Sequence, residues 1–247
     1  MIAHVHVSLD QQVAEVRLER GKVNALDEQV VDELSAALRR LACDPAVRAI
    51  VLTGTGKFFS FGFDVPAFLG HSQGAFLAYL RKFTALCRDL FTCPKPVLAA
   101  LNGHAVAGGC MLALACDARI MAAGPARIGL NEITFGSSLF AGSVAMLRCC
   151  AGERNAARIA LSGTLYPPEE ALALGLVDRV IAAGDLLPAT RKLGAKDLDA
   201  YRSIKALLRA PALEEMARGE EASLREFVDI WYSERTREQL RRIEIRP

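Results

Sequence analysis

Val5, Val7 and Leu9 alternate with polar neighbours, and beyond a turn at Asp10-Gln11-Gln12 so do Ala14, Val16 and Leu18. A period of two is what a strand with one buried face requires, so the chain is expected to open on a β-hairpin. The period then lengthens. After a loop at Gly21–Leu26, Val30, Leu34, Leu38 and Leu41 fall on one stripe of a helix starting near Asp27, while Glu28, Asp32, Glu33 and Arg40 face away. Val47–Thr53 reads as a strand ended by Gly54-Thr55-Gly56, and Phe76, Leu80, Phe83, Cys87 and Leu90 mark a second amphipathic helix stopped by Pro94-Lys95-Pro96.

The next strand, Val97–Leu101, leads into Asn102-Gly103-His104-Ala105-Val106-Ala107-Gly108-Gly109-Cys110-Met111. This stretch reads as a strand end, a glycine turn and an apolar helix beginning near Gly108. Short strands at Ala118–Ala123 and Ala126–Leu130 follow, then helical segments around Val144–Cys150 and Arg154–Leu161. Pro167-Pro168-Glu169-Glu170 opens another helix, and Leu176–Ile181 forms a last strand. From about Leu186 the pattern is helical, charged and amphipathic to the end. Strand–helix units followed by a helical appendage indicate α/β architecture whose tail packs on the body or on a neighbouring subunit.

Composition narrows the function more than the fold. Thirty basic and 28 acidic residues among 247 give a net charge of +2, so no global field argues for nucleic acid. No apolar run approaches the roughly 20 residues of a membrane span, and the start has no basic segment ahead of an apolar block, so neither a membrane nor a secretion signal is expected. Seven cysteines, an odd number scattered through apolar segments, point to reduced thiols in a cytoplasmic compartment. The four histidines lie outside ligand spacing with them, which argues against zinc.

The candidate chemistry lies around the glycine turn. A helix N-terminus behind a glycine turn presents unpaired N–H groups to an anion, or to an oxygen that becomes anionic during a reaction. A second N–H is best sought in the aromatic loop Lys57–Asp64, where Gly62 lets the backbone of Phe63 approach a ligand; burial of that loop against the core is the alternative. Glu132 is the best proton carrier, because Ile128, Leu130, Ile133 and Phe135 make its neighbourhood apolar and desolvation raises a carboxyl pKa toward working pH. A structural role in a turn is its other reading. His104 reads as a satisfied core histidine rather than a base, and no serine or cysteine has the surroundings of a nucleophile elbow.

The set Asn24-Ala25-Leu26, Ser60-Phe61-Gly62-Phe63-Asp64, Asn102-Gly103 through Gly108-Gly109-Cys110, Gly129-Leu130-Asn131-Glu132 and Ala171–Asp178 resembles the crotonase, or enoyl-CoA hydratase/isomerase, family over nearly the whole chain. The resemblance implies a spiral of ββα units (a ClpP/crotonase-like fold) over residues 1–190 and a helical trimerisation region over 191–247. It implies an acyl-CoA thioester substrate, no further cofactor or metal, and a trimer or a dimer of trimers. The thioester oxygen would be held by the N–H groups of Phe63 and Gly108. Asn24, Ala25, Leu26 and the backbone from Ser60 through Phe61, Gly62 and Phe63 to Asp64 would hold the CoA end, beside Gly109 and Met111. Lys205 stands where the family often places a phosphate contact; a solvated surface lysine is the alternative.

One position departs from the hydratases of this family. They carry two glutamates that clasp a water, whereas this chain keeps Glu132 and places Met111 at the other site. A thioether neither takes a proton nor orients water, and it dries the pocket. One base in a dry pocket suits moving a proton from C2 to C4, and the motifs resemble the Δ3,Δ2-enoyl-CoA isomerases of the family more than its hydratases. A 2-enoyl-CoA hydratase and a catalytically idle CoA-binding scaffold are the other two readings. Phe63, Phe91, Phe135 and Phe140 are the candidates for capping the acyl pocket.

Overall fold

The computed structural model describes residues 2–190 and 197–243. The hairpin forms as β1 (Val5–Asp10) and β2 (Val13–Leu18), antiparallel with Val7 opposite Val16. A two-residue strand, β3 (Ala25–Leu26), precedes α1 (Glu28–Cys43), whose N-cap Asp27 accepts a hydrogen bond from Val30 N at 2.9 Å. β4 (Ala49–Gly54) is buried along its whole length. The aromatic stretch after it holds two short strands, β5 (Phe58–Ser60) and β6 (Gly62–Phe63), where sequence indicated only a loop. Asp64 then caps α2 (Val65–Phe68), and Ser72 caps α3 (Gln73–Thr92).

β7 (Val97–Leu101) and β8 (His104–Val106) lead to α4 (Gly108–Ala115), all of whose residues are buried. β9 (Ala118–Ala122) and β10 (Ile128–Gly129) are followed by a 3-10 turn, Glu132–Phe135, and by α5 (Ala141–Ser162), which joins the two expected helical segments across a kink at Gly152. α6 (Pro168–Ala173) and β11 (Arg179–Ile181) complete the body. The tail is one long helix, α7 (Leu198–Trp231), and a short one, α8 (Glu234–Leu240). Part of the helical region expected from residue 191, namely 191–196 and 244–247, lies outside the described residues.

The strands alternate between sheets as the chain advances, which produces the spiral. β4, β7 and β9 lie in a six-stranded sheet of order β1-β2-β4-β7-β9-β11, parallel except for the hairpin. Their successors β5, β8 and β10 form a second, parallel sheet of order β10-β8-β5. Each turn of the spiral thus contributes one strand to each sheet and then a helix. β3 pairs with β6, placing Leu26 opposite Phe63. The main core lies between the sheets and helices α1, α3, α4 and α5, and α7 extends it with Phe227 and Trp231.

All seven cysteines are free thiols. Among the described residues no helix is long and apolar enough to cross a membrane.

Candidate active site

The site forms where β6, the start of α4 and the Glu132 turn meet. Ala107, the residue before α4, has φ +49° and ψ −118°, a conformation that side chains with a Cβ rarely adopt. Its N–H donates to Gly129 O at 2.9 Å and its carbonyl accepts from Met111 N at 2.9 Å, so a bend held from both sides sets the direction in which α4 begins. Gly62, with φ +97°, passes so close to this bend that an added Cβ would lie 2.9 Å from Gly108 N. Gly109 packs against β5 more tightly still, since a Cβ there would sit 2.3 Å from Ser60 O. The glycines that sequence marked for a turn therefore bring two backbone segments together.

Phe61, Phe63, Gly108, Met111 and Glu132 border one cavity of about 300 Å³. The other residues expected around the CoA end lie behind it. Asn24 donates through Nδ2 to Phe58 O (2.8 Å) and Thr55 O (3.1 Å), Ser60 Oγ donates to Asn24 O (2.8 Å), and Asp64 pairs with Arg20 (2.6 Å). With Ala25 and Leu26, both buried, these side chains brace the loop that carries Phe61 and Phe63. Phe63 itself meets Phe83 (4.9 Å) and Tyr79 (5.3 Å) edge-on, so its backbone is held by its ring.

Glu132 is 4% exposed, and neither carboxyl oxygen receives a hydrogen bond from another group. Burial pushes its pKa up to about 8, against a smaller lowering by its own backbone amide. At neutral pH it is therefore mostly protonated. Met111, 1% exposed, lines the same cavity from α4, and among the described residues Glu132 is the one acid that lines it with Met111.

Two expectations are corrected. Lys205 is 7% exposed and pairs with Asp117 at 2.8 Å, so it is not a solvated surface lysine. Of the four candidate pocket caps, Phe63 and Phe135 line the cavity, whereas Phe91 lies under Arg209 (4.0 Å) and Phe140 packs at a tilt against Phe227 (5.0 Å) from outside it. His104 is a satisfied histidine, its Nδ1 accepting from Arg127 N at 3.1 Å.

The wall that sequence did not reveal comes from the chain's own tail. Phe227 and Trp231 of α7, Gln239 of α8, and Arg242 and Ile243 beyond it close the cavity. The closure is anchored on the site elements: Thr236 Oγ1 donates to Gly136 O (2.7 Å) beside the Glu132 turn, Tyr232 OH to His71 O (2.6 Å), and Arg237 to Leu69 O (2.8 Å). The apolar spacing of the tail marked a packing face, but nothing local says what it packs on.

A sequence model described as enoyl-CoA hydratase/isomerase matches residues 8–246. The chain belongs to that family. A crotonyl-CoA hydratase of Syntrophomonas wolfei is 33% identical over 213 residues, covering 84% of this chain and 80% of the relative. The mitochondrial enoyl-CoA delta isomerase 1 of Mus musculus is 31% identical over 224 residues, covering 88% and 78%. Among solved structures, human mitochondrial delta3-delta2-enoyl-CoA isomerase superposes with a TM-score of 0.91 at 30% identity, covering 96% of this chain and 95% of that one. The family establishes an enoyl-CoA hydratase/isomerase enzyme with the crotonase fold; relatives of similar identity carry the names of both reactions.

Proposed function

We propose that this enzyme is a Δ3→Δ2 enoyl-CoA isomerase with Glu132 as its single proton carrier. The observation that carries the reading is the lining of the cavity: among the described residues Glu132 is its one carboxyl, and a buried thioether stands on the glycine helix. Hydration needs a water to be both held and deprotonated beside the double bond, a task for paired acid and base groups. A proton shift within one substrate needs one group that takes a proton and returns one.

In the proposed reaction ionised Glu132 removes a proton from C2 of a 3-enoyl thioester. The electrons of that C–H bond form the C2 enolate, whose oxygen the backbone N–H groups of Phe63 and Gly108 stabilise. The double bond re-forms between C2 and C3, the C3–C4 double bond opens, and protonated Glu132 delivers its proton to C4. Nothing is gained or lost from solvent in the net reaction. Each well-aimed donor in a water-excluded site typically contributes about 2.7–4 kcal/mol to lowering the barrier. The CoA portion would run along the Asn24–Leu26 and Ser60–Asp64 backbone.

The test is a direct comparison of 3-enoyl-CoA isomerisation with 2-enoyl-CoA hydration by the purified enzyme. Isomerisation is expected to dominate; faster hydration would overturn the reading, and binding of CoA esters with neither turnover would make the chain a scaffold. Met111→Glu is expected to gain hydration, and its failure to do so would mean that the cavity cannot place a water.

We also propose that copies of the chain associate, cytoplasmically, as a trimer or a dimer of trimers. Ile204, Leu207 and Leu208 are 58–75% exposed on α7, an apolar patch suited to such a contact. Light scattering that returned the mass of one chain would remove this part.

A further inference from the structure

Glu132 borders two cavities. On one side lies the acyl cavity already described. On the other is a chamber of about 380 Å³ bordered by Ile133 and Ser137 from the segment that carries Glu132, and by Leu147, Ala156, Ala160 and Leu161 of α5. Leu161 and Ile133 are 73% and 48% exposed, so the chamber opens to solvent between the Glu132 turn and α5. The proposed function gives this chamber no role.

Two residues that border it, Ser137 and Glu132, carry buried polar atoms left unpaired among the described residues. Ser137 is 9% exposed and its Oγ has no hydrogen-bond partner. Its backbone N–H donates to Glu132 O at 2.9 Å, which fixes the two residues on the same turn. Both carboxyl oxygens of Glu132 also lack partners. Three buried, unpaired oxygens on one turn are costly unless a guest satisfies them. A water needs about two to four polar partners and far less space than this chamber provides. Ser138, Arg148 and Glu153 also border the chamber, and the last two pair with each other at 3.0 Å.

We propose that this chamber is a solvent port, in which water held between Ser137 Oγ and the Glu132 carboxyl exchanges the catalytic proton with the medium. The inference rests on Glu132 acting as the proton carrier. The balance is simple: Glu132 receives hydrogen from C2, water takes that hydrogen and returns another to the same carboxyl, and this second hydrogen is delivered to C4. The acyl side stays dry, because the exchange occurs on the opposite side of the carboxyl. Ser137 is a positioning residue, since it acts through the water and does not touch substrate.

The test is isomerisation of unlabelled 3-enoyl-CoA in D2O, with product read by mass spectrometry at early conversion. The native enzyme is expected to place deuterium at C4. Ala160→Leu, which fills the chamber from α5, is expected to lose most of that deuterium while still turning over substrate. Ser137→Ala is expected to lose it as well, and decides the matter should the α5 variant fail to fold. Product without deuterium from the native enzyme, or deuterium content unchanged in a folded variant, would overturn the port. A plug that stopped only long-chain substrates and left deuterium content alone would assign the chamber to the acyl tail instead, and would likewise overturn it. Absence of both isomerisation and C2 exchange would defeat the functional reading itself, a result distinct from turnover without label.

Discussion

Two carboxyl side chains in this enzyme, one partly buried and one buried, have opposite surroundings. Asp117, at the end of α4, pairs with Lys205 (2.8 Å) and Arg209 (2.7 Å), accepts from Val97 N (2.7 Å), and bonds to Tyr201. Glu132 has no partner beyond its own backbone. The first arrangement ties the long tail helix to the sheet: Arg209 also lies over Phe91 and donates to its carbonyl. Burial lowers the Lys205 pKa and the Asp117 charge works against that lowering. A paired charge serves architecture, and an unpaired one is left free to change protonation. That contrast makes Glu132, rather than Asp117, the acid suited to the proposed chemistry.

Neutralising the unpaired group gives the largest expected effect. Glu132→Gln should lower isomerase kcat/KM by about 10²–10⁴-fold, the usual span for removing a general base. The native enzyme should also show a rate that rises with pH through about 8 and levels above it, since the base works only when ionised and burial holds its pKa near that value. A variant with full activity, or a native profile flat from pH 6 to 9, would place the base elsewhere.

Breaking the paired group should instead cost stability. Asp117→Ala leaves Lys205 and Arg209 facing each other at a buried site, which typically destabilises by about 3–5 kcal/mol. Urea unfolding should show the loss, while the folded fraction keeps its activity per site. Loss of activity from a protein of native stability would mean that the cluster belongs to the chemistry after all.

The same contrast explains what could be read from sequence. The α/β order was legible because β4, β7, β9 and helices α1 and α3 have clear hydrophobic periods, whereas the spiral was implied only by the family resemblance. Glu132 was legible because its own neighbours, Ile128, Leu130 and Ile133, are apolar. Lys205 was not, because its partner Asp117 is 88 residues away in sequence and only the docking of α7 brings them together. The tail wall of the cavity was hidden for the same reason: Trp231 and Gln239 carry no local mark of the surface they cover. The double strand at Phe58–Phe63 was obscured by its brevity, since two- and three-residue strands leave no period to detect.

The smallest effect comes from the unpaired acid acting on stability, and its sign is opposite to that of Asp117. In the folded enzyme Glu132 holds its proton up to about pH 8, while in the unfolded chain it ionises near 4.5. Below pH 4.5 the group is neutral in both states and costs nothing. Between 4.5 and 8 the unfolded state releases its proton first, so stability falls as pH rises, and above 8 the loss is complete. Glutamine stays neutral throughout. Glu132→Gln should therefore match the native enzyme in thermal stability near pH 4 and exceed it increasingly up to pH 8, by on the order of a few kcal/mol at most. For a domain of this size each kcal/mol corresponds to about 2–4 °C in Tm. A Tm difference that is constant with pH would mean that the carboxyl is partnered in solution, and the division between a structural and a chemical acid would then fail on its chemical side.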